Sequence, residues 1–208
     1  MNAGKACLFC GRMLPPKRVK HGGKTDEHII PKWLLDHLGI REAMIRPGQM
    51  DVKSRVILNS RHHTLNRFIA GSVCSICNGG WLSNLENQAM ALLKSLIDDP
   101  RRISTMTVTE RHIVARWTFK TAAIFNRASS FGNPASGLSR PVPLEHLQML
   151  RSGVIPADVA VVGGGCSCEK PFDFFQGDNW SGPAHSVLLR PECQPQSYKI
   201  GLSFRDLL

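Results

Sequence analysis

The chain contains no apolar run approaching the roughly 18–20 residues that a membrane-spanning helix needs, so nothing in it reads as crossing a bilayer. Its start, Met1 to Cys10, lacks the long apolar stretch after a basic beginning that marks a secretory leader. Both absences point to the cytoplasm, where thiols stay reduced. Cysteine is odd in number, seven in all. That argues against a closed disulfide framework and turns attention to metal binding or buried thiols. Acidic side chains are scarce: 16 Asp and Glu stand against 26 Lys and Arg, a net charge of +10. Such a surplus suits a polyanionic partner, with nucleic acid foremost, because each neutralised phosphate releases counterions. A basic protein with no such partner would share the composition. There is no internal repeat or low-complexity tract. The glycine run Gly163-Gly164-Gly165 is not followed by Gly-Lys-Ser/Thr and is no phosphate loop.

What is present is an ordinary globular balance, 42% hydrophobic and 20% charged over 208 residues, enough for one large domain or two small ones. Pro31 and Gly39 bracket a short helix through Trp33-Leu34-Leu35, since proline suits a first helical turn and glycine a C-terminus. Val52, Val56, Ile57 and Leu58, then Phe68, Ile69 and Val73, favour a two-stranded ribbon with a turn at Asn59-Ser60-Arg61. Leu82, Leu85, Ala89, Leu92, Leu93 and Leu96 recur at helical spacing until Asp98-Asp99-Pro100 stops the helix. A third helix spans about 110–127, with Val114, Trp117, Thr121, Ile124 and Phe125 inward. His112, Arg116, Lys120 and Arg127 form a basic stripe on another side. Such a stripe can follow a phosphate backbone, although a solvated helix face is its commoner origin. Residues 128–143 read as a linker. A short helix over 143–150 and strands at 159–162, 187–189 and 198–204 follow.

Cys7 and Cys10 form one C-x-x-C and Cys74 and Cys77 another. Two such knuckles complete a tetrahedral Cys₄ zinc site, and the long segment between them becomes an insertion that carries something. Four unrelated thiols are the alternative. Cys166, Cys168 and Cys193 with His185 read as free thiols rather than a second metal site, because C-x-C is a poor knuckle.

Between the pairs stand Glu27-His28-Ile29-Ile30-Pro31, then Cys74-Ser75-Ile76-Cys77-Asn78, extended by Gly79-Gly80-Trp81-Leu82-Ser83-Asn84-Leu85-Glu86. In these motifs the first half of the chain resembles the HNH endonuclease family, in its zinc-bearing form with two C-x-x-C pairs. The resemblance implies an α+β protein: a ββα-metal core with structural zinc over residues 1–100, a basic helix packed on it over 101–128, and a β-rich α+β region of open role over 129–208. It implies cleavage of DNA phosphodiester bonds to 5′-phosphate and 3′-hydroxyl ends. His28 would be the general base, and Glu27 and Asn78 would hold a catalytic Mg²⁺ or Mn²⁺. The residue types suit this: a neutral imidazole accepts a proton near neutral pH, and carboxylate and amide oxygens are hard ligands. Asn66 is the candidate for the family's middle Asn, with Asn59 a weaker one. The chain departs from the commonest pattern in having Glu27 for Asp and Asn78 for His.

Other roles for these residues are a core or surface histidine at His28, a solvated acid at Glu27 and a helix N-cap at Asn78. Adjacent strand residues point to opposite sides, so Glu27 and His28 need a bend to share one site. His62 and His63 read as exposed hairpin residues, Glu86 as outside the metal's immediate ligands, and Trp33 and Trp81 as packing. A non-catalytic zinc-stapled nucleic-acid-binding module and an RNA-directed nuclease are the rival functions. A homodimer is a further expectation.

Overall fold

A computed structural model describes residues 6–15, 23–45, 48–50, 57–60, 62–129, 142–164, 173–177 and 199–203. For 48–50, 57–60, 71, 127–129, 173–177 and 199–203 it describes the backbone alone. The protein mixes helix and strand. Strand β1 (Lys24–His28) is followed by helix α1 (Lys32–Leu38), then β2 (Met44–Ile45), β3 (Gly48–Met50), β4 (Ile57–Ser60), β5 (His63–Thr64) and β6 (Ile69–Cys74). Helix α2 (Ser75–Cys77), a wide turn over Asn78–Leu82 and helix α3 (Ser83–Asp98) continue from β6 without a loop. Helices α4 (Val108–Ser129) and α5 (Leu144–Arg151) and strands β7 (Asp173–Gly177) and β8 (Lys199–Ser203) complete it.

The punctuation of α1 follows its residues. Pro31 stands just before its first turn, and Gly39 takes the left-handed conformation (φ 68°) that closes its C-terminus, its N–H donating to Asp36 and Leu35 carbonyls. In α3 the apolar spacing is realised as a buried stripe of Leu85, Ala89, Leu93, Leu96 and Ile97, each leucine stabilising the fold by roughly 1.5–3 kcal/mol. Asp99 leaves helical geometry before Pro100 and caps the short 3₁₀ turn Pro100–Thr105.

The strands pair differently from the expected ribbon. β6 does not pair with the segment just before it but with β1, antiparallel, with Glu27 opposite Ala70 and His28 opposite Ile69. β3 pairs with β4, and outside them β2 pairs with β5, so these four strands nest as two hairpin rungs. Residues 159–162 form no strand; Val159 N–H closes a turn on the Pro156 carbonyl. The strand expected around 198–204 is β8, paired with β7, a strand absent from the reading of the sequence. The expected strand at 187–189, the linker at 130–141, and Cys166, Cys168, Cys193 and His185 lie outside the described residues.

One buried apolar cluster joins the N-terminal segment, α1, α3, α4 and α5. The second half of α4 lies inside it: every residue from Phe119 to Asn126 is buried. A helical segment buried on all sides has no solvent face to offer, and this removes Lys120 from the expected nucleic-acid-binding stripe. Lys120 is fully buried. Arg116 is half-buried against the end of α5, where its guanidinium donates to the Leu150 carbonyl (3.4 Å). The Arg127 side chain lies outside the described residues. Asn126 accepts a hydrogen bond from the Val142 amide (2.8 Å), tying α4 to the approach to α5. Among the described residues no helix is long and apolar enough to cross a membrane.

Candidate functional site

Cys7, Cys10, Cys74 and Cys77 converge, all four sulfurs lying within 4.8 Å of one another. Thiolates about 2.3 Å from one tetrahedral ion stand about 3.8 Å apart; Cys10 Sγ and Cys74 Sγ are 3.7 Å apart. The donor set therefore fits a metal ion such as zinc. The local chain builds each knuckle. Gly11, at φ 69°, turns the first one back, so that Gly11 N–H reaches the Cys7 carbonyl. Leu8 N–H docks this arm on the Ser72 carbonyl of β6 (2.9 Å). In the second knuckle Cys74 ends β6 and caps α2, its sulfur accepting from Cys77 N–H (3.4 Å), while Cys74 N–H donates to Cys7 Sγ (3.4 Å). Burial pushes the Cys74 and Cys77 thiols up. At Cys7 burial also raises the thiol, but amide donors from Cys74, Phe9 and Cys10 outweigh it and the net shift is downward. Phe9 meets Trp81 edge to face (centroids 4.9 Å apart), so Trp81 packs this arm onto the helix start.

Immediately beyond the second knuckle, a cleft of about 490 Å³ lies between β1 and the helix, lined by Thr25, Glu27, Ser75, Asn78, Gly79, Leu82, Ser83 and Glu86. Glu27 and Asn78 thus line the same cleft. Asn78 is not the helix N-cap. It lies within the helical run (φ −65°, ψ −52°), and Cys74 holds the cap position. Gly80 departs from helical geometry (φ −102°, ψ −110°), opening the wide turn between α2 and α3.

His28 is not among the residues lining this cleft. The one register irregularity in β1 falls between Thr25 and Glu27, not between Glu27 and His28, so alternation along the strand separates their side chains. The His28 imidazole is half-buried and hydrogen-bonded to the Asn66 backbone. Burial lowers its pKa, and the Lys32 charge adds to this against the Asn66 carbonyl and Asp26. Asn66 N–H donates to the Arg41 carbonyl (3.2 Å), and its side-chain oxygen is buried without a hydrogen-bond partner among the described residues. His63 packs at 6.0 Å from the Phe68 ring, and His62 is exposed. The Asn59 side chain lies outside the described residues.

The structure gathers at the cleft four residues that the sequence places elsewhere: Glu86 outside the metal's immediate ligands, Lys120 on the basic stripe, and Trp33 and Trp117 in packing. Glu86 lines the cleft. Its Oε1 accepts from Trp117 Nε1 (2.9 Å) and from Lys120 Nζ, and its Oε2 accepts from Trp33 Nε1 (2.9 Å). Lys120 Nζ also lies 3.8 Å from Glu27 Oε1. Two indole N–H groups and a lysine converging on one carboxylate leave no separate trace in sequence spacing.

Burial raises the Glu27 carboxyl above its usual range; Lys120 pulls it down and Glu86 pushes it further up. The folded chain therefore binds more protons at Glu27 than the unfolded chain does. Ionised Glu27 costs stability that grows as pH rises through the window above the unfolded carboxylate value of about 4.3. Without added divalent cations at pH 7.5, Glu27→Gln is expected to raise the melting midpoint by about 2–4 °C, the shift that ~1 kcal/mol produces in a chain of this size. The gain should shrink toward pH 4. Melts of both chains across pH check this, and a lowered midpoint at pH 7.5 would contradict it.

The chain matches no protein-family model, no curated protein and no solved structure.

Proposed function

We propose that this protein is a metal-dependent endonuclease of the HNH type that hydrolyses DNA phosphodiester bonds. The observation that carries the reading is the four-cysteine cluster, which sets a strand–helix junction beside a cleft that Glu27 and Asn78 both line. The antiparallel pairing of β1 with β6, and the helix that follows β6 directly, support this reading. Zinc at the cysteines is structural in this reading, since all four positions are taken by protein ligands.

The cleft's donors suit Mg²⁺ or Mn²⁺: Glu27 offers a carboxylate and Asn78 an amide oxygen, both hard ligands. When bound, that ion supplies Lewis-acid stabilisation of charge developing on the phosphate and the leaving oxygen. The other work falls to the chain. Glu27 and Asn78 orient the scissile group. His28, with one ring N–H engaged by the Asn66 carbonyl, keeps its other nitrogen to take a proton from the attacking water. The net charge of +10 favours the approach of a polyanion.

One observation favours a second reading, a zinc-stapled nucleic-acid-binding module without cleavage: His28 does not line the cleft that holds Glu27 and Asn78. Supercoiled plasmid incubated with Mg²⁺ or Mn²⁺ decides between them. Metal-dependent nicking is expected; binding without nicking in any divalent metal selects the module. A matched RNA substrate that is cut faster than the plasmid would move the activity to RNA.

A further inference from the structure

Under the cleft lies a buried ionic cluster that neither the cysteine knuckles nor the strand pairing requires. Lys120 is fully buried, with its ammonium 5.6 Å from the Trp117 ring centroid. It ion-pairs directly with Glu86 and stands 3.8 Å from Glu27 Oε1. The two carboxylates are treated unequally. Among the described residues Glu86 receives three donors, from Lys120, Trp117 and Trp33, whereas Glu27 has the longer approach of Lys120 alone. Buried ion pairs are poor contributors to stability, and apolar groups of equal volume often serve a fold as well or better. The unequal sharing is therefore read as geometry.

We infer that Glu86 is a positioning residue. It holds the Lys120 ammonium on itself and off Glu27, so that the Glu27 carboxylate faces the cleft with its charge available to a divalent cation. This deepens the proposed function and rests on its reading of the cleft as a divalent-metal site. Glu86 acts through Lys120 and is not itself a ligand. With both carboxylates ionised, two negative charges and one positive leave a net charge of −1 beside Asn78. If Glu86 is neutralised, the nearest anion to the ammonium is Glu27. The flexible lysine stem can close the 3.8 Å gap to a direct salt bridge of about 2.8 Å. That contact consumes the charge the cation needs. The indoles cannot substitute for Glu86, because they donate and cannot accept from lysine.

Mn²⁺ binding to the zinc-loaded chain, followed by loss of the free-ion electron paramagnetic resonance signal, tests this without reference to cleavage. Wild type is expected to bind Mn²⁺, and Glu27→Gln to lose it. Glu86→Gln should weaken binding roughly tenfold or more, and Lys120→Met should tighten it by a similar factor. The double variant Glu86→Gln/Lys120→Met should return close to wild type. A double variant as weak as Glu86→Gln would make Glu86 a direct ligand and overturn the inference. So would Glu86→Gln binding as wild type does, with nicking untouched. Should Glu86→Gln lose zinc and fail to fold, Lys120→Met decides alone: unchanged or weaker binding defeats the assignment. No binding of Mn²⁺ by the wild-type chain also defeats it, whatever the plasmid shows. The predicted Mn²⁺ pattern without nicking would instead remove the nuclease reading and leave the role of Glu86 standing.

Discussion

Replacing Cys74 by serine is expected to abolish zinc retention and, with it, the cooperative thermal transition of the whole chain. Cys74 is fully buried and does three jobs at once: it closes β6, its sulfur accepts the Cys77 amide, and it stands 3.7 Å from Cys10 Sγ. Serine keeps a cap but has a shorter, harder donor that cannot complete a thiolate site. Structural zinc contributes about 10–16 kcal/mol in small metal-folded peptides, and whole domains are stable by about 5–15 kcal/mol. The loss should therefore remove the native state rather than shift its midpoint. Elemental analysis and calorimetry check the outcome, and Ile76→Ala, between the cysteines but 47% exposed, should leave both unchanged. A Cys74→Ser chain that melts like wild type would mean that the sulfurs are simply core. The sign of the pH effect follows from burial, which raises the Cys74 and Cys77 thiols. Those sites must shed protons to bind zinc, so affinity climbs with pH and zinc leaves on acidification.

His28→Ala is expected to lower the plasmid-nicking rate by at least ~10², since a positioned general base contributes about 10²–10⁴. The imidazole must be neutral to act. Burial first, then the Lys32 charge, lower its pKa, and the Asn66 carbonyl and Asp26 only partly compensate. Neutral His28 therefore persists below the ordinary histidine value of about 6.5. The acid limb of the rate profile should fall below that pH and vanish from the residual activity of the alanine variant. An alanine variant that nicks at the wild-type rate would remove His28 from the chemistry and point to a base on the cleft wall.

How far the sequence disclosed all this depends on the range of each interaction. The knuckle spacing is local, and the four cysteines meet as their pairing suggested. Pro31, Gly39 and the leucines of α3 act within a turn or two, and they placed their helices. The partner of β6 is not legible because a short apolar strand carries no record of a mate far back in the chain; β1 joins it with Lys24 opposite Cys74 and the Ser75 amide donating to the Gly23 carbonyl (2.8 Å). Lys120 reads as a surface charge because its counter-ions come from α3 and β1. The place of Glu86 on the cleft wall is not legible from helical phase. Eight residues of regular α-helix would carry it about 80° past Asn78. The wide turn at Asn78–Leu82 holds more residues per turn and rotates everything after it back toward the cleft.

The nested hairpin has a consequence for how the chain can vary. Met44 and Thr64 are partners across its base, so the path leaves the body and re-enters it at neighbouring points. The entropic cost of lengthening such an excursion rises only with the logarithm of its length, about 0.6 kcal/mol per doubling. The stretch of sequence between Met50 and Ile57 is thus a natural port for grafted peptides or whole inserted modules, leaving α3 and the sulfur cluster where they are.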